Sequence, residues 1–136
     1  MTYEDLEVFK LVHQLVIDVY RIVKKFPEEE RFRLCDQICR STSSIPANIA
    51  EGYGRFSLKE RIQFLYISRG SVEELKYHLL LAKDLSYISI TKFEELRSTL
   101  DITGRMLNGL ITSIKNAKKP RYQETRKLRN QDIMKP

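Results

Sequence analysis

Apolar residues recur at helical spacing along most of the chain and divide it into four segments. In the first segment they crowd positions 6–23 so densely that the polar residues form one narrow stripe: Lys10, Gln14, Asp18 and Arg21. A helix with so narrow a polar face is buried on most sides. The pattern therefore predicts a first helix that begins at Thr2 or Glu4 and packs against several neighbours.

A break at Phe26 and Pro27 precedes a second helix, which is predicted to run from Pro27 to Tyr53. Proline suits the first position of a helix, and the three glutamates that follow it suit the first turn. The apolar stripe of this helix steps by three or four residues through Cys35, Ile38, Thr42, Ile45, Ile49 and Tyr53. Pro46 lies inside the stripe and has no N–H, so we expect a kink there.

Small side chains cluster around Pro46, where they would let a neighbouring backbone come close. They are Ser41, Ser43, Ser44, Ala47, Ala50 and Gly52. Gly52 and Gly54 can also adopt the conformation that ends a helix. The second helix is therefore predicted to end here, after close contact with a neighbour.

Capping patterns open the two remaining helices, at Ser57-Leu-Lys-Glu60 and at Thr91-Lys-Phe-Glu94. The third helix has its main apolar stripe at Leu58, Ile62, Leu65, Val72, Leu75, Leu79 and Ala82, and a second buried face is expected from Phe64, Ile67, Leu80 and Leu81. The fourth has its stripe at Phe93, Leu96, Leu100, Thr103, Leu107, Leu110 and Ile114. Gly70 lies in mid-helix, where glycine is costly, so we expect it to allow close packing.

Four long helices joined by three short connections predict an all-α fold, an antiparallel up-down-up-down four-helix bundle over residues 1–117. Residues 118–136 are polar and basic, and Pro120 interrupts any further helix. Because so few of these residues are apolar, we expect them to form a disordered tail.

The net charge of +6 belongs to the end of the chain. Residues 1–114 contain 16 basic and 16 acidic residues, whereas residues 115–136 contain eight basic and two acidic ones. A basic arm on a neutral body is typical of a protein that binds nucleic acid, although a merely solubilising tail has the same composition. The predicted phosphate contacts in the tail are Lys118, Lys119, Arg121, Arg126, Lys127 and Arg129.

A second group of cations is predicted to flank the turn between the second and third helices and to form one basic patch. Its members are Arg40, Arg55, Lys59 and Arg61. The alternative is an ordinary solvated surface. Glu51 can pair with Arg55 along the helix, and Arg69 can pair in the same way with Glu73 or Glu74. The functional alternative is that Arg55 and Arg69 face a groove or pore and contact phosphate.

Sequence motifs for phosphate-binding loops, dinucleotide binding and zinc proteases are absent, so we expect no enzymatic activity and no cofactor. Cys35 and Cys39 lack a metal-binding spacing, and we interpret them as buried thiols rather than as metal ligands with His13 or His78. The N-terminus is acidic and no long apolar run exists, which favours a cytoplasmic protein with no membrane helix.

The stretch Ser44-Ile-Pro-Ala-Asn-Ile-Ala-Glu-Gly-Tyr-Gly-Arg55 resembles a family signature. It is similar to that of bacterial four-helix-bundle proteins encoded in intervening sequences of 23S rRNA genes. More distantly, it resembles the accessory protein of diversity-generating retroelements. Three further stretches carry the same resemblance: Asp5–Phe9, Phe64–Leu75 and Gly104–Leu110.

The resemblance implies a four-helix bundle with no established catalytic activity that assembles into pentamers. For the retroelement proteins it also implies contact with RNA and with a reverse transcriptase. The residues of the matching stretches that we interpret as structural are Ile45, Pro46, Asn48, Ile49, Glu51, Gly52, Arg69 and Gly70.

Two functional hypotheses follow. The first is a non-enzymatic homo-oligomer, pentameric by resemblance, that binds nucleic acid through its basic residues, RNA in preference to DNA. The alternative is an adaptor that docks a partner enzyme, for example a reverse transcriptase, on the bundle surface. Binding through charge would weaken steeply as salt rises, and adaptor docking would not.

Overall fold

The computed structural model describes residues 2–117, and these contain four long α-helices and no strand. The helices are α1 (Glu7–Val23), α2 (Leu34–Tyr53), α3 (Leu58–Asp84) and α4 (Ile90–Ala117). Short 3-10 turns at Tyr3–Asp5 and Glu28–Glu30 precede α1 and α2. The predicted all-α class is confirmed.

Each helix of the bundle lies alongside two others, and the backbones of the diagonal pairs are farther apart. The contacting pairs are α1 with α2, α2 with α3, α3 with α4, and α4 with α1. Side-chain bonds show that α3 and α4 run in opposite directions: Arg69 reaches Asn108 while Lys76 reaches Asp101. The bonds from Ser68 to Ile45 and between Ser71 and Ser44 show the same for α2 and α3. The antiparallel four-helix bundle is therefore confirmed, and the α2–α3 turn shares one end of it with the carboxyl end of α4.

The core is a column of aliphatic side chains contributed by all four helices. Its largest fully buried members are Ile38, Ile45, Ile49, Leu65, Leu75, Leu79, Leu100 and Leu107. The stripe predicted for the fourth helix shifts near its end, because Ile111 is buried while Leu110 and Ile114 are only half-buried. The second face predicted for α3 is half-buried at Phe64, Leu80 and Leu81, and Ile67 is exposed.

Within the chain, α1 is buried along one stripe rather than on most sides. The buried residues are Val8, Val12, Leu15 and Val19, and Tyr20 is 43% exposed. The reason is geometric, since α2 and α4 are the long helices that lie directly alongside α1. Its other apolar side chains are half-buried at the edges of that stripe.

Helix starts are where the sequence-based boundaries were wrong. The predicted start at Thr2 or Glu4 is a separate 3-10 turn, and α1 begins at Glu7. The second helix begins at Leu34, not at Pro27, because the buried Glu30 carboxylate accepts a bond from the Leu34 N–H at 3.3 Å. The fourth is capped by Ser89, whose hydroxyl accepts from the Lys92 N–H at 3.0 Å.

Removal of residues 118–136 should leave the melting temperature nearly unchanged. The reason is that each helix finds its core partners among the residues the structure describes. Thermal denaturation followed by circular dichroism would compare the full chain with a chain that ends at Ala117. A large fall in melting temperature would show that the removed residues are part of the fold.

Candidate nucleic-acid interface

The turn between α2 and α3 is closed by hydrogen bonds on both sides. The Gly54 N–H donates to the carbonyl oxygens of Ala50 and Glu51, both at 3.1 Å, and so ends α2. The Ser57 hydroxyl accepts from the Glu60 N–H at 3.0 Å, which confirms the predicted N-cap of α3. This four-residue connection fixes the backbone from which the candidate cations project.

Arg55 is held in place by its neighbours. Its Nη2 lies 2.6 Å from Oε1 of Glu51, as the four-residue spacing predicts, and its guanidinium carbon lies 5.0 Å from the centroid of the Phe64 ring. The carboxylate offsets the positive charge of Arg55, so a phosphate would compete with Glu51 for this guanidinium.

The described neighbours that hold Arg61 in place are a carbonyl group and an aromatic ring. Its Nε donates to the Gly52 carbonyl at 3.4 Å, and its guanidinium lies 4.2 Å from the centroid of the Tyr53 ring. Burial raises the pKa of the Tyr53 hydroxyl, and the charge of Arg61 opposes that rise. Lys59, near the start of α3, is exposed. Arg61 and Lys59 therefore keep their charge for an incoming anion.

Arg40 does not belong to this group. It precedes Tyr53 by 13 residues within α2, which places it about 20 Å along the helix from the turn. There it pairs with Asp36 at 3.3 Å. Arg55, Lys59 and Arg61 thus lie in the turn or in the first turn of α3. The other predicted phosphate contacts lie outside the described residues: Lys118, Lys119, Arg121, Arg126, Lys127 and Arg129.

Hydrogen bonds of serine hydroxyl groups join the middle of α2 to the middle of α3. The Ser68 hydroxyl donates to the buried Ile45 carbonyl at 2.8 Å, and the Ser44 and Ser71 hydroxyls lie 2.9 Å apart. Asn48 donates its amide N–H to the Ser44 carbonyl at 2.7 Å. Ile45, Pro46 and Ile49 are buried in this seam. These residues therefore contribute to the packing of α2 against α3.

The two motif glycines have different surroundings. A Cβ on Gly52 would meet the Phe64 Cβ at 3.0 Å and the Arg61 carbonyl oxygen at 3.2 Å, so the close packing expected around this position is present. A Cβ on Gly70 would meet nothing within 4 Å. The close packing expected at Gly70 is therefore wrong within this chain, because its side of α3 faces away from the other helices.

Arg69 reaches across to α4 rather than along α3. Its Nη1 donates to Oδ1 of Asn108 at 2.8 Å, and its guanidinium lies 4.7 Å from the centroid of the Tyr66 ring. The Lys115 ammonium lies over the same ring at 5.2 Å and donates to the Tyr66 hydroxyl at 2.5 Å.

The pairing of Arg69 with Glu73 or Glu74 is not formed. Glu73 pairs with Lys76 at 3.1 Å, and Glu74 lies 3.3 Å from His78. Sequence reasoning missed Tyr66 and Asn108, and it counted Lys115 only as part of the basic end of the chain. The alignment of α3 with α4 is what brings these residues together.

Comparison with protein families identifies the chain. A family model described as 23S rRNA-intervening sequence protein matches residues 4–109. The chain belongs to this family. The 23S rRNA-intervening sequence protein match takes in the α2–α3 turn, Arg69 and Asn108, and it ends before Lys115. Among curated proteins, no sequence matches the chain.

A solved structure from Bacteroides thetaiotaomicron has a similar fold. It is described as a protein with unknown function from the S23 ribosomal protein family. Its TM-score with this chain is 0.69 at 25% sequence identity, and the match covers 76% of this chain and 97% of that one. The likeness therefore extends over most of the bundle.

The cysteines of this family member are free thiols, Cys35 buried and Cys39 half-buried. Burial raises the pKa of both, and the Glu30 carboxylate adds to the rise at Cys35. A raised pKa disfavours the thiolate, which is the reactive form. Among residues 2–117, no three His, Cys, Asp or Glu side chains gather closely enough to hold a metal ion.

None of the helices that the structure describes is both long enough and apolar enough to cross a membrane.

Proposed function

We propose that this 23S rRNA-intervening sequence protein is a cytoplasmic, non-enzymatic homo-oligomer that binds RNA through basic residues at one end of its bundle. The observation that carries the proposal is the distribution of charge. Residues 115–136 hold eight Lys and Arg against two acidic residues, while the body of the chain is neutral. A basic segment of this kind is suited to binding the phosphate groups of a nucleic acid, and the family name refers to rRNA.

The end of the bundle supports the same proposal. The carboxyl end of α4, after which the basic segment follows in the sequence, shares its end of the bundle with the α2–α3 turn. Among the described residues, Lys59 and Arg61 have no carboxylate partner there, and Arg61 donates to the Gly52 carbonyl. Cations from the bundle and from the segment would thus face one RNA strand together.

Assembly is supported by apolar side chains that the single chain leaves uncovered. Those on α3 and α4 are Ile67, Tyr77, Ile90 and Ile102, which are 51%, 59%, 67% and 39% exposed. Exposed apolar groups of this size commonly mark an interface, and soluble homo-oligomers commonly close with point symmetry. We propose five copies, the number that the family resemblance implies.

Assembly would strengthen RNA binding by multivalency. Several basic segments on one particle raise the effective concentration of each for the same RNA, so weak individual arms act together. An oligomer of neutral bundles with basic segments therefore suits a long, flexible polyanion better than it suits a small ligand.

The test measures RNA affinity as a function of salt. Wild-type protein should bind a single-stranded RNA oligonucleotide at low salt and lose affinity steeply as salt rises. Replacing Lys118, Lys119, Arg121, Arg126, Lys127 and Arg129 by glutamine should reduce the salt slope by about 4, since each phosphate contact to a single strand contributes about 0.7. Light scattering should report an oligomer.

The control variant removes cations that already face a carboxylate. These are Lys10, Arg33, Lys92 and Arg97. Their replacement by glutamine should leave the salt slope nearly unchanged. Absence of binding at low salt, or binding that survives the loss of the tail cations, would contradict the proposal. An oligomer that does not bind RNA but binds a protein partner with an affinity independent of salt would favour the adaptor hypothesis instead.

A further inference from the structure

We infer that Arg69 and Lys115, held together by Tyr66 on the α3–α4 face, form a binding site for the phosphate groups of an RNA strand. The inference rests on the proposed function and adds to it a site on the body of the bundle. The sequence suggested phosphate contact for Arg69 only as an alternative to ion pairing along α3, and it counted Lys115 only as part of the basic end of the chain.

The partners of these two cations distinguish them from about half of the other cations in the described chain. Eight Lys and Arg residues lie within 4.0 Å of a carboxylate: Lys10, Arg33, Arg40, Arg55, Lys76, Lys83, Lys92 and Arg97. Arg69 and Lys115 contact an amide oxygen, a phenol oxygen and an aromatic ring. Neutral partners orient a cation and leave its charge uncompensated.

This difference decides where an anion binds best. A phosphate that approaches Arg40 must displace the Asp36 carboxylate, so the charge-assisted bonds gained are offset by those lost. Within residues 2–117, a phosphate at Arg69 displaces no carboxylate. Of the five guanidinium N–H groups, one is engaged by a described residue, Asn108, which leaves donors for a phosphate oxygen.

Tyr66 also brings the two charges close and limits their motion. Both cations lie over its ring, at 4.7 and 5.2 Å from the centroid, so they are less than about 10 Å apart. Long basic side chains usually lose rotamer freedom when they bind a ligand. Here the hydrogen bonds to Asn108 and to the Tyr66 hydroxyl have already reduced that freedom.

The acidic groups of the same face lie toward the other end of the bundle. Asp101 and Glu73 both contact the Lys76 ammonium, at 2.7 and 3.1 Å, and Asp101 also faces Arg97 at 3.8 Å. Asp101 precedes Asn108 by seven residues, which is about 10 Å along α4. The face is therefore neutralised at Lys76 and cationic from Arg69 to Lys115, next in sequence to the basic segment.

The experiment compares two variants that lose the same formal charge. One is Arg69→Gln with Lys115→Gln, and the control is Arg40→Gln with Arg97→Gln, whose cations face carboxylates. Fluorescence anisotropy would follow a labelled single-stranded RNA of about 20 nucleotides at several salt concentrations. The first variant should bind on the order of tenfold more weakly and reduce the salt slope by about 1.4, the value for two lost phosphate contacts. The control should change affinity less than about twofold.

Each outcome has one interpretation. Wild-type protein that binds no RNA would defeat the proposed function itself. Wild-type binding that both double variants weaken equally, or that neither weakens, would overturn this site and leave the proposed function standing. If Arg69→Gln prevents folding by circular dichroism, Lys115→Gln alone should still reduce the slope by about 0.7. A melting-temperature rise with inorganic phosphate that needs both cations, without any effect of the variants on RNA, would reassign the site to a free anion.

Discussion

Replacement of Ile45 by aspartate should abolish the cooperative folding transition of the bundle. Ile45 is 0% exposed in the centre of the α2 stripe, against α3. The change removes a large aliphatic side chain, which costs about 2–5 kcal/mol, and it buries a carboxylate with no cationic partner in the core. Since a domain has only about 5–15 kcal/mol of stability, the sum consumes most or all of it.

Ala47→Asp provides the matched control on the same helix. Ala47 is exposed two residues further along α2, so the same carboxylate stays in water there. The melting curve of Ala47→Asp should resemble that of the wild type, while Ile45→Asp should show little helical signal and no sharp melt. A native-like melt for Ile45→Asp would mean that the packing of α2 on α3 differs from that described above.

Gly52→Ala should lower the free energy of unfolding by about 1–3 kcal/mol, whereas Gly70→Ala should raise it by up to about 1 kcal/mol. At Gly52 the new methyl group meets a Cβ at 3.0 Å and a backbone oxygen at 3.2 Å, neither of which can move without shifting α3. At Gly70 the methyl group meets nothing within 4 Å, so only the gain in helix propensity remains.

Urea denaturation of the two variants under identical conditions measures this difference directly. Because both substitutions add one methyl group to a helical glycine, their separation isolates the contact between α2 and α3. Equal stabilities would contradict the close approach at Gly52. A destabilised Gly70→Ala oligomer would place another subunit against that part of α3.

Periodicity was sufficient to predict the four helices and most of the core. The three- and four-residue steps through Ile38, Ile45 and Ile49 identify residues that are all 0% exposed. Local chemistry predicted the Ser57 cap and the Glu51–Arg55 pair, since both depend only on residues three or four apart. Such features are decided within one helix, where spacing fixes geometry.

Features that depend on the alignment of two helices could not be predicted from the sequence. Arg69 has glutamates four and five residues later, yet it contacts Asn108, which is 39 residues away. Gly52 and Gly70 are both glycines in helices, and only the position of α3 distinguishes them. The sequence therefore predicted that basic residues near the end of the chain belong to the candidate site. It did not predict the site between Arg69 and Lys115 on the α3–α4 face.

The serines and the proline of α2 have a consequence for the order in which the chain folds. Gly52, Pro46 and the hydroxyl residues near them are poor helix formers, so α2 on its own gains little from becoming helical. The Ser68 hydroxyl on α3 supplies a partner to the Ile45 carbonyl, and Ser71 supplies one to Ser44. During synthesis α2 leaves the ribosome before α3. We therefore expect α2 to remain largely non-helical until α3 has been synthesised and the two can pack together.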